Sequence, residues 1–259
     1  MKIPLYQVDA FTSRLFGGNP AAVCPLEAWL DDRTMQAIAA ENNLAETAFF
    51  VGGGGRYDLR WFTPQVEVDL CGHATLASAF VIFNRLEPSL QAVSFLSKSG
   101  ELTVTRSGER LRLDFPAWPP ASREISDDLR RALGAAPREV WASHDVMAVF
   151  DSEDAVRRLD PDMGRIAAID TFAVIATAPG GEADFVSRYF APRQGIPEDP
   201  VTGRAHCTLT PYWARRLGKR ALHALQLSRR GGELFCEDHG DRVAISGHAV
   251  QFLEGTIEL

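Results

Sequence analysis

Glu198-Asp199-Pro200-Val201-Thr202-Gly203-Arg204-Ala205-His206-Cys207 is the stretch on which the reading of this chain turns. It combines a carboxylate pair, a proline-forced turn and a glycine at the start of a small-residue helix. A shorter version stands earlier, at Val68-Asp69-Leu70-Cys71-Gly72-His73-Ala74-Thr75. Both run through glycine into a helix. Two glycine-led helix starts in one chain predict a unit used twice and a site closed from both sides.

The flanking segments repeat as well. Glu46-Thr47-Ala48-Phe49-Phe50-Val51 is echoed by Asp170-Thr171-Phe172-Ala173-Val174-Ile175, and Phe62-Thr63-Pro64 by Phe190-Ala191-Pro192. The period is about 130 residues, too long for a solenoid unit. The helix expected from Gly72 to about Arg85 is apolar on nearly all sides, the pattern of a buried helix. Gly203 to Leu217 is its counterpart. The fold class expected is α+β, two pseudo-symmetric halves with strands wrapped around a central buried helix. The halves are read as residues 1–116, completed by a strand at 254–259, and residues 117–253, with Pro116-Ala117-Trp118-Pro119-Pro120 as the link.

Composition narrows the function. The chain has 259 residues, 46% of them hydrophobic and 24% charged, and a net charge of −7. The acidic balance and the lack of any Lys/Arg run argue against nucleic-acid binding. No apolar stretch is long enough to span a membrane. Met1 to Asp9 reads as a strand and not as a signal peptide. Cys24, Cys71, Cys207 and Cys236 lie far apart without zinc-type spacing. Reduced thiols in the cytoplasm are the expectation. No metal, nucleotide or flavin signature is present, so no cofactor is expected.

A helix N-terminus carries unpaired N–H groups and partial positive charge, which suits a carboxylate or phosphate. Gly72 and Gly203 allow the backbone to approach such a group. A small anionic metabolite is therefore the expected ligand.

Five motifs in order make the chain similar to a known family. They are Gly17-Gly18-Asn19-Pro20-Ala21-Ala22-Val23, Asn43-Leu44-Ala45-Glu46-Thr47-Ala48-Phe49, Phe62-Thr63-Pro64, Cys71-Gly72-His73-Ala74-Thr75 and Gly195-Ile196-Pro197-Glu198-Asp199-Pro200-Val201-Thr202-Gly203. Together they resemble the PhzF-like isomerases of phenazine biosynthesis, from about residue 1 to the C-terminus. The resemblance implies the diaminopimelate-epimerase fold, each half a curled, mostly antiparallel sheet around its helix, with the active site between the halves. It also implies cofactor-free acid/base chemistry and, commonly, a homodimer.

The motifs assign roles residue by residue. The family places its general acid/base at Glu46. Beside the apolar run Thr47–Val51 a glutamate is partly desolvated, which favours proton shuttling. His73 falls where the family holds or protonates substrate, and an imidazole can both donate and accept. Asp199 falls on a substrate-binding aspartate and joins Glu46 and His73 as the catalytic set. Pro200 biases it to an extended conformation with its side chain away from the helix. Glu198 reads as a solvated neighbour. Gly72 and Gly203 line the substrate site, and Asn19 is read equally as a ligand contact and as an Asn-Pro turn residue.

Cys71 matches one thiol of the two-thiol epimerases, but no second thiol matches the other, so it reads as a small buried residue. Arg204 stands where the family has serine. Three placements are open to it: gripping a substrate carboxylate through its planar fork, pairing with Asp199 or Glu198, or pointing outward. Two other functions stay in view, a racemase or epimerase acting at one carbon and a non-catalytic metabolite-binding protein.

Overall fold

A helix apolar all round has to be buried on nearly every side, and the helix Gly72–Val81 meets that demand. The computed structural model describes residues 1–259. It divides into Met1–Asp114 with Ser246–Leu259, and Phe115–Ile245. Six α-helices occur in chain order: α1 Asp32–Asn42, α2 Gly72–Val81, α3 Asp127–Leu133, α4 Glu153–Arg157, α5 Met163–Ala168 and α6 Gly203–Leu217.

In the first unit, α2 packs on the strands Lys2–Ala10, Asn19–Leu26 and Glu46–Gly53. Leu76, Ala77, Ala79 and Val81 are inaccessible, and a buried Leu or Val contributes about 1.5–3 kcal/mol. Its two hydroxyls fit the same core because they bond within the helix. Thr75 donates to the Cys71 carbonyl at 2.6 Å and Ser78 to the Ala74 carbonyl at 2.8 Å. The helix expected to reach Arg85 changes to a π-turn at Ile82–Leu86.

The sheet of this unit has a definite order. Asn19–Leu26 lies antiparallel to Lys2–Ala10 and parallel to Glu46–Gly53. Glu46–Gly53 is antiparallel to Arg56–Phe62, which is parallel to Ala92–Ser97. Gly100–Ser107 and Arg110–Pro116 extend the sheet as an antiparallel meander. The C-terminal strand Ala249–Glu258 pairs along the whole of Lys2–Ala10. The chain thus rejoins this unit at Ser246, earlier than the short strand at 254–259 read from sequence, because the pairing extends from Ala249 to Glu258 with one register shift between Gln7 and Val8.

The second unit repeats the ladder. Glu139–Ala142 is antiparallel to Val146–Val149, which is parallel to Val174–Pro179. Val174–Pro179 is antiparallel to Phe185–Phe190, which is parallel to Ala221–Gln226, and Gly232–Asp238 follows antiparallel. In both units the central helix spans the crossover before the second parallel pair. Around α6, Trp213 stacks on Phe185 and donates through Nε1 to the buried Thr177 hydroxyl at 3.0 Å.

Register corrects one part of the repeat. Phe62 pairs with Thr47, and Phe190 pairs with Val174. Glu46 therefore corresponds to Ala173, not to Asp170. Asp170 lies ahead of the strand, exposed and paired with Arg193. The backbone is duplicated, but the acid at the strand start is not.

Candidate active site

Three elements of the first unit converge on one buried polar cluster. Gly18 has a φ of +62°, and a Cβ there would lie 2.1 Å from the Ala10 carbonyl, so the turn that delivers Asn19 requires glycine. Asn19 opens a strand two residues before Ala21, which is in register with Glu46. His73 enters from the first turn of α2. Glu46 is 9% exposed and His73 5%.

His73 presents a nitrogen to each side. Its Nε2 lies 3.0 Å from Glu46 Oε2. The two atoms lack hydrogen-bond alignment, so the contact is one of charge. Its Nδ1 lies 3.2 Å from Asn19 Nδ2 and 3.5 Å from Cys71 Sγ. Burial pulls the imidazole down, but Cys71 and Glu46 outweigh it and hold the ring well above 6.5. Burial and the Glu46 charge push the Cys71 thiol up. Glu46 acts on both neighbours in the same sense, favouring the charged imidazolium and disfavouring the thiolate. The Asn19 amide suits either ring state, donating through Nδ2 to neutral histidine or, turned over, accepting through Oδ1 from the imidazolium.

The donors Glu46, Cys71 and His73 have ligand atoms within 4.8 Å of one another and form the grouping with metal-ligand chemistry. His73 directs one nitrogen to each partner, so a single ion would have to displace one of these contacts. The cysteines are all free and buried.

The second unit holds the other sequence-selected residues. Asp199 accepts a short hydrogen bond from the Thr202 hydroxyl through Oδ2. Its side chain thus turns toward the start of α6, contrary to the orientation read from Pro200, because Thr202 supplies a strong donor three residues on. Gln226 ties this turn together: its Oε1 accepts from Thr202 N at 2.9 Å, and its Nε2 donates to the Asp199 carbonyl at 2.9 Å and to Thr202 Oγ1 at 3.1 Å. Gly232 lies directly beneath, where a Cβ would meet Val201 Cγ2 at 2.2 Å.

Side-chain capping separates the helices. Asp31, Ser126, Ser152 and Asp162 cap α1, α3, α4 and α5, whereas α2 and α6 have no side-chain cap. The starts at Gly72 and Gly203 are the uncapped ones, and Thr202 directs its hydroxyl to Asp199 instead.

Glu198 is not a solvated neighbour. It forms a bidentate pair with Arg188, at 2.7 and 2.9 Å. Arg204 places its Nη2 3.3 Å from Asp145 Oδ1, a partner outside the Glu198-Asp199 pair. Sequence reading missed Asp145 and Gln226. Asp145 follows Ser143-His144 and looks like a turn residue, and nothing local marks either partner across 59 or 24 positions. Two surface recesses, one beside α1 and the C-terminal strand and one beside Pro119, Trp141 and Tyr212, include none of these groups.

Comparison with known proteins agrees with this architecture. The profile of the phenazine biosynthesis-like protein family, PhzC-PhzF, matches residues 8–255. A Pseudomonas aeruginosa protein named "uncharacterized isomerase" is 52% identical, with 100% of both chains covered. A phenazine biosynthesis PhzF-family structure from Enterococcus faecalis superimposes with a TM-score of 0.98 at 48% identity, covering 100% of both chains. A hydroxyproline epimerase from Agrobacterium vitis shares the fold alone, with a TM-score of 0.61 at 9% identity over 99% of this chain and 92% of that one. The fold is thus α+β of the diaminopimelate-epimerase type, and the chain, matched over nearly its whole length, belongs to the phenazine biosynthesis-like family and is an isomerase.

Proposed function

We propose that the protein is a cofactor-independent isomerase that moves a proton within a small carboxylate-bearing metabolite. The observation that carries this is the buried Glu46–His73 pair, with Nε2 and Oε2 3.0 Å apart. Glu46 takes a proton from a carbon activated by the substrate's carboxylate or an adjacent double bond. The electron pair shifts along the conjugated system, and Glu46 returns the proton to another carbon. The His73 imidazolium stabilises the negative charge that develops between these steps. Asp199, Asn19, Gly72, Gly203 and Arg204 are the groups proposed to hold the substrate.

The test needs a ligand first, found by thermal shift with small carboxylic acids. Proton NMR in deuterated water then follows that ligand. Deuterium at a new carbon with a shifted double bond is the expected result, and its loss in Glu46→Gln ties the step to this residue. Tight binding with no exchange by the wild type would make the protein a metabolite-binding module. Cys71 at 3.5 Å from His73 keeps one alternative open, racemisation or epimerisation at a single carbon. Exchange at one carbon with inversion would identify it.

The same reading places the enzyme in the cytoplasm as a homodimer. Four free thiols fit a reducing compartment. No helix is long and apolar enough to cross a membrane. The exposed edge-to-face pair Phe16–Phe252 offers apolar surface for a second copy. Light scattering at the mass of one chain would remove the dimer from this account.

A further inference from the structure

One donor set in this protein has the makeup of a metal site. Glu46, Cys71 and His73 bring a carboxylate, a thiol and an imidazole together, with ligand atoms within 4.8 Å of one another. All three belong to the first unit. The other imidazole–carboxylate pairs, His223 with Glu233 and His239 with Glu237, lie nearer the surface and have no thiol beside them. Cys24, Cys207 and Cys236 are buried outside any such grouping.

The imidazole decides where an ion can sit. Its two nitrogens face opposite sides of the ring, so one ion takes one of them. On the Glu46 side, Nε2 and Oε2 lie 3.0 Å apart and are both sealed from solvent. On the other side, Nδ1 lies 3.5 Å from Cys71 Sγ. A tetrahedral zinc holds sulfur at about 2.3 Å and nitrogen at about 2.0–2.1 Å, which sets the two donors about 3.5 Å apart. The Cys71–His73 separation already has the length of that edge. The Asn19 amide, 3.2 Å from Nδ1, offers an oxygen on the same side once turned over. Cys71 is 6% exposed and Gly72 beside it is half-buried, so this side is the one with an opening.

Charge fits as well. A Glu46 carboxylate, a His73 imidazolium and a Cys71 thiol sum to zero. A divalent ion taken up between Sγ and Nδ1 sends the thiol proton and the Nδ1 proton to solvent. Carboxylate, thiolate, neutral imidazole and ion again sum to zero, so the exchange adds no net charge to a buried cluster. Nε2 keeps its proton on the Glu46 side. A metal-bound histidine commonly donates its other N–H to a carboxylate, which orients the ring. We propose that Cys71 and His73 form a binding site for a soft divalent cation of the zinc class, with Asn19 as third donor and Glu46 behind the ring, and that the ion blocks the enzyme. The site stands on the donor geometry; the block rests on the isomerase reading above. There Glu46 has to be free to take a proton, and His73 has to carry its charge. With the ion in place Glu46 stays fixed to Nε2–H and the Nδ1 proton is gone. The ion is thus an inhibitor and not a cofactor.

Cobalt(II) titration of the metal-free protein tests the site, because cobalt reports a thiolate ligand by a near-ultraviolet charge-transfer band. The band should saturate at one cobalt per chain and vanish when zinc is added. Cys71→Ser should lose it. Glu46→Gln should keep it with affinity lowered about 10–100-fold. The double variant His223→Gln/His239→Gln should leave it unchanged, and circular dichroism reports that each variant is folded. Wild-type protein that gives no such band overturns the proposal, and so does a band that persists in folded Cys71→Ser. The block is read with the ligand found by thermal shift, followed in deuterated water. One zinc per chain should slow exchange about 10²-fold, and EDTA should restore it. Undiminished exchange at full zinc occupancy overturns the block. A cobalt band in a protein that exchanges no proton even without metal would refute the isomerase reading alone, whereas exchange without a cobalt band would refute the metal site alone.

Discussion

His73 and His206 are both buried histidines near the start of a central helix, and they titrate in opposite directions. His73 has Glu46 at 3.0 Å and Cys71 at 3.5 Å, and its ring is held well above 6.5 although burial pulls it down. His206 has only the Thr202 carbonyl, 2.9 Å from Nδ1, and burial pushes it down to about 4. Its Nε2 has no partner, and its ring lies 5.9 Å from that of Phe185. Burial is common to the two; the neighbouring carboxylate is not. Glu46 and Ala173 occupy corresponding strand positions, so the duplicated backbone carries a proton site in the first unit and a neutral core histidine in the second.

The largest way to break this comparison is Glu46→Gln. It preserves shape and removes the base, and turnover should fall about 10³-fold with the fold retained. Near-normal turnover would take the proton step away from Glu46.

His206 should make the second-largest difference, in acid stability. Its folded value lies below the ordinary 6.5, so its contribution is full above pH 6.5 and is lost as pH falls toward about 4. Across that window the wild type should lose about 3 kcal/mol relative to His206→Gln, read by urea unfolding at stepped pH. A constant gap between the two proteins would mean that His206 is not held neutral. His73 has the opposite sign: its folded value is raised, so its contribution is full below pH 6.5 and fades as pH rises through the folded value.

A smaller effect sharpens the role of the second helix start. Gly232→Ala drives a methyl into the inaccessible Val201, next to Thr202 and the Asp199 turn. It should cost about 2 kcal/mol, read as a lowered melting temperature. An unchanged melting temperature would show that this turn yields to its neighbours.

Much of this arrangement was legible in the chain. The glycine-led helices, the all-apolar face of α2 and the Gly-Asn-Pro turn are local signals, set by φ, period and neighbour. They located Asn19, Glu46 and His73 before any distance was known. Contacts between distant positions were not legible. Asp145 and Arg204 meet across 59 residues, and each looks like an ordinary turn or helix residue in its own segment. Glu198 looked solvated because Arg188, ten residues earlier, lies on a different element. The matching of Asp170 to Glu46 failed because similarity over six residues fixes identity but not strand register, which Phe62 and Phe190 settle.

The most direct measurement is nitrogen-15 NMR titration of the histidine rings in the wild type and in Glu46→Gln. The account predicts a His73 ring that titrates well above 6.5 in the wild type and falls steeply when Glu46 is neutralised, while His206 stays near 4 in both. A His73 value at or below 6.5 in the wild type, or one indifferent to Glu46→Gln, would contradict the charge pair on which the proposed chemistry rests.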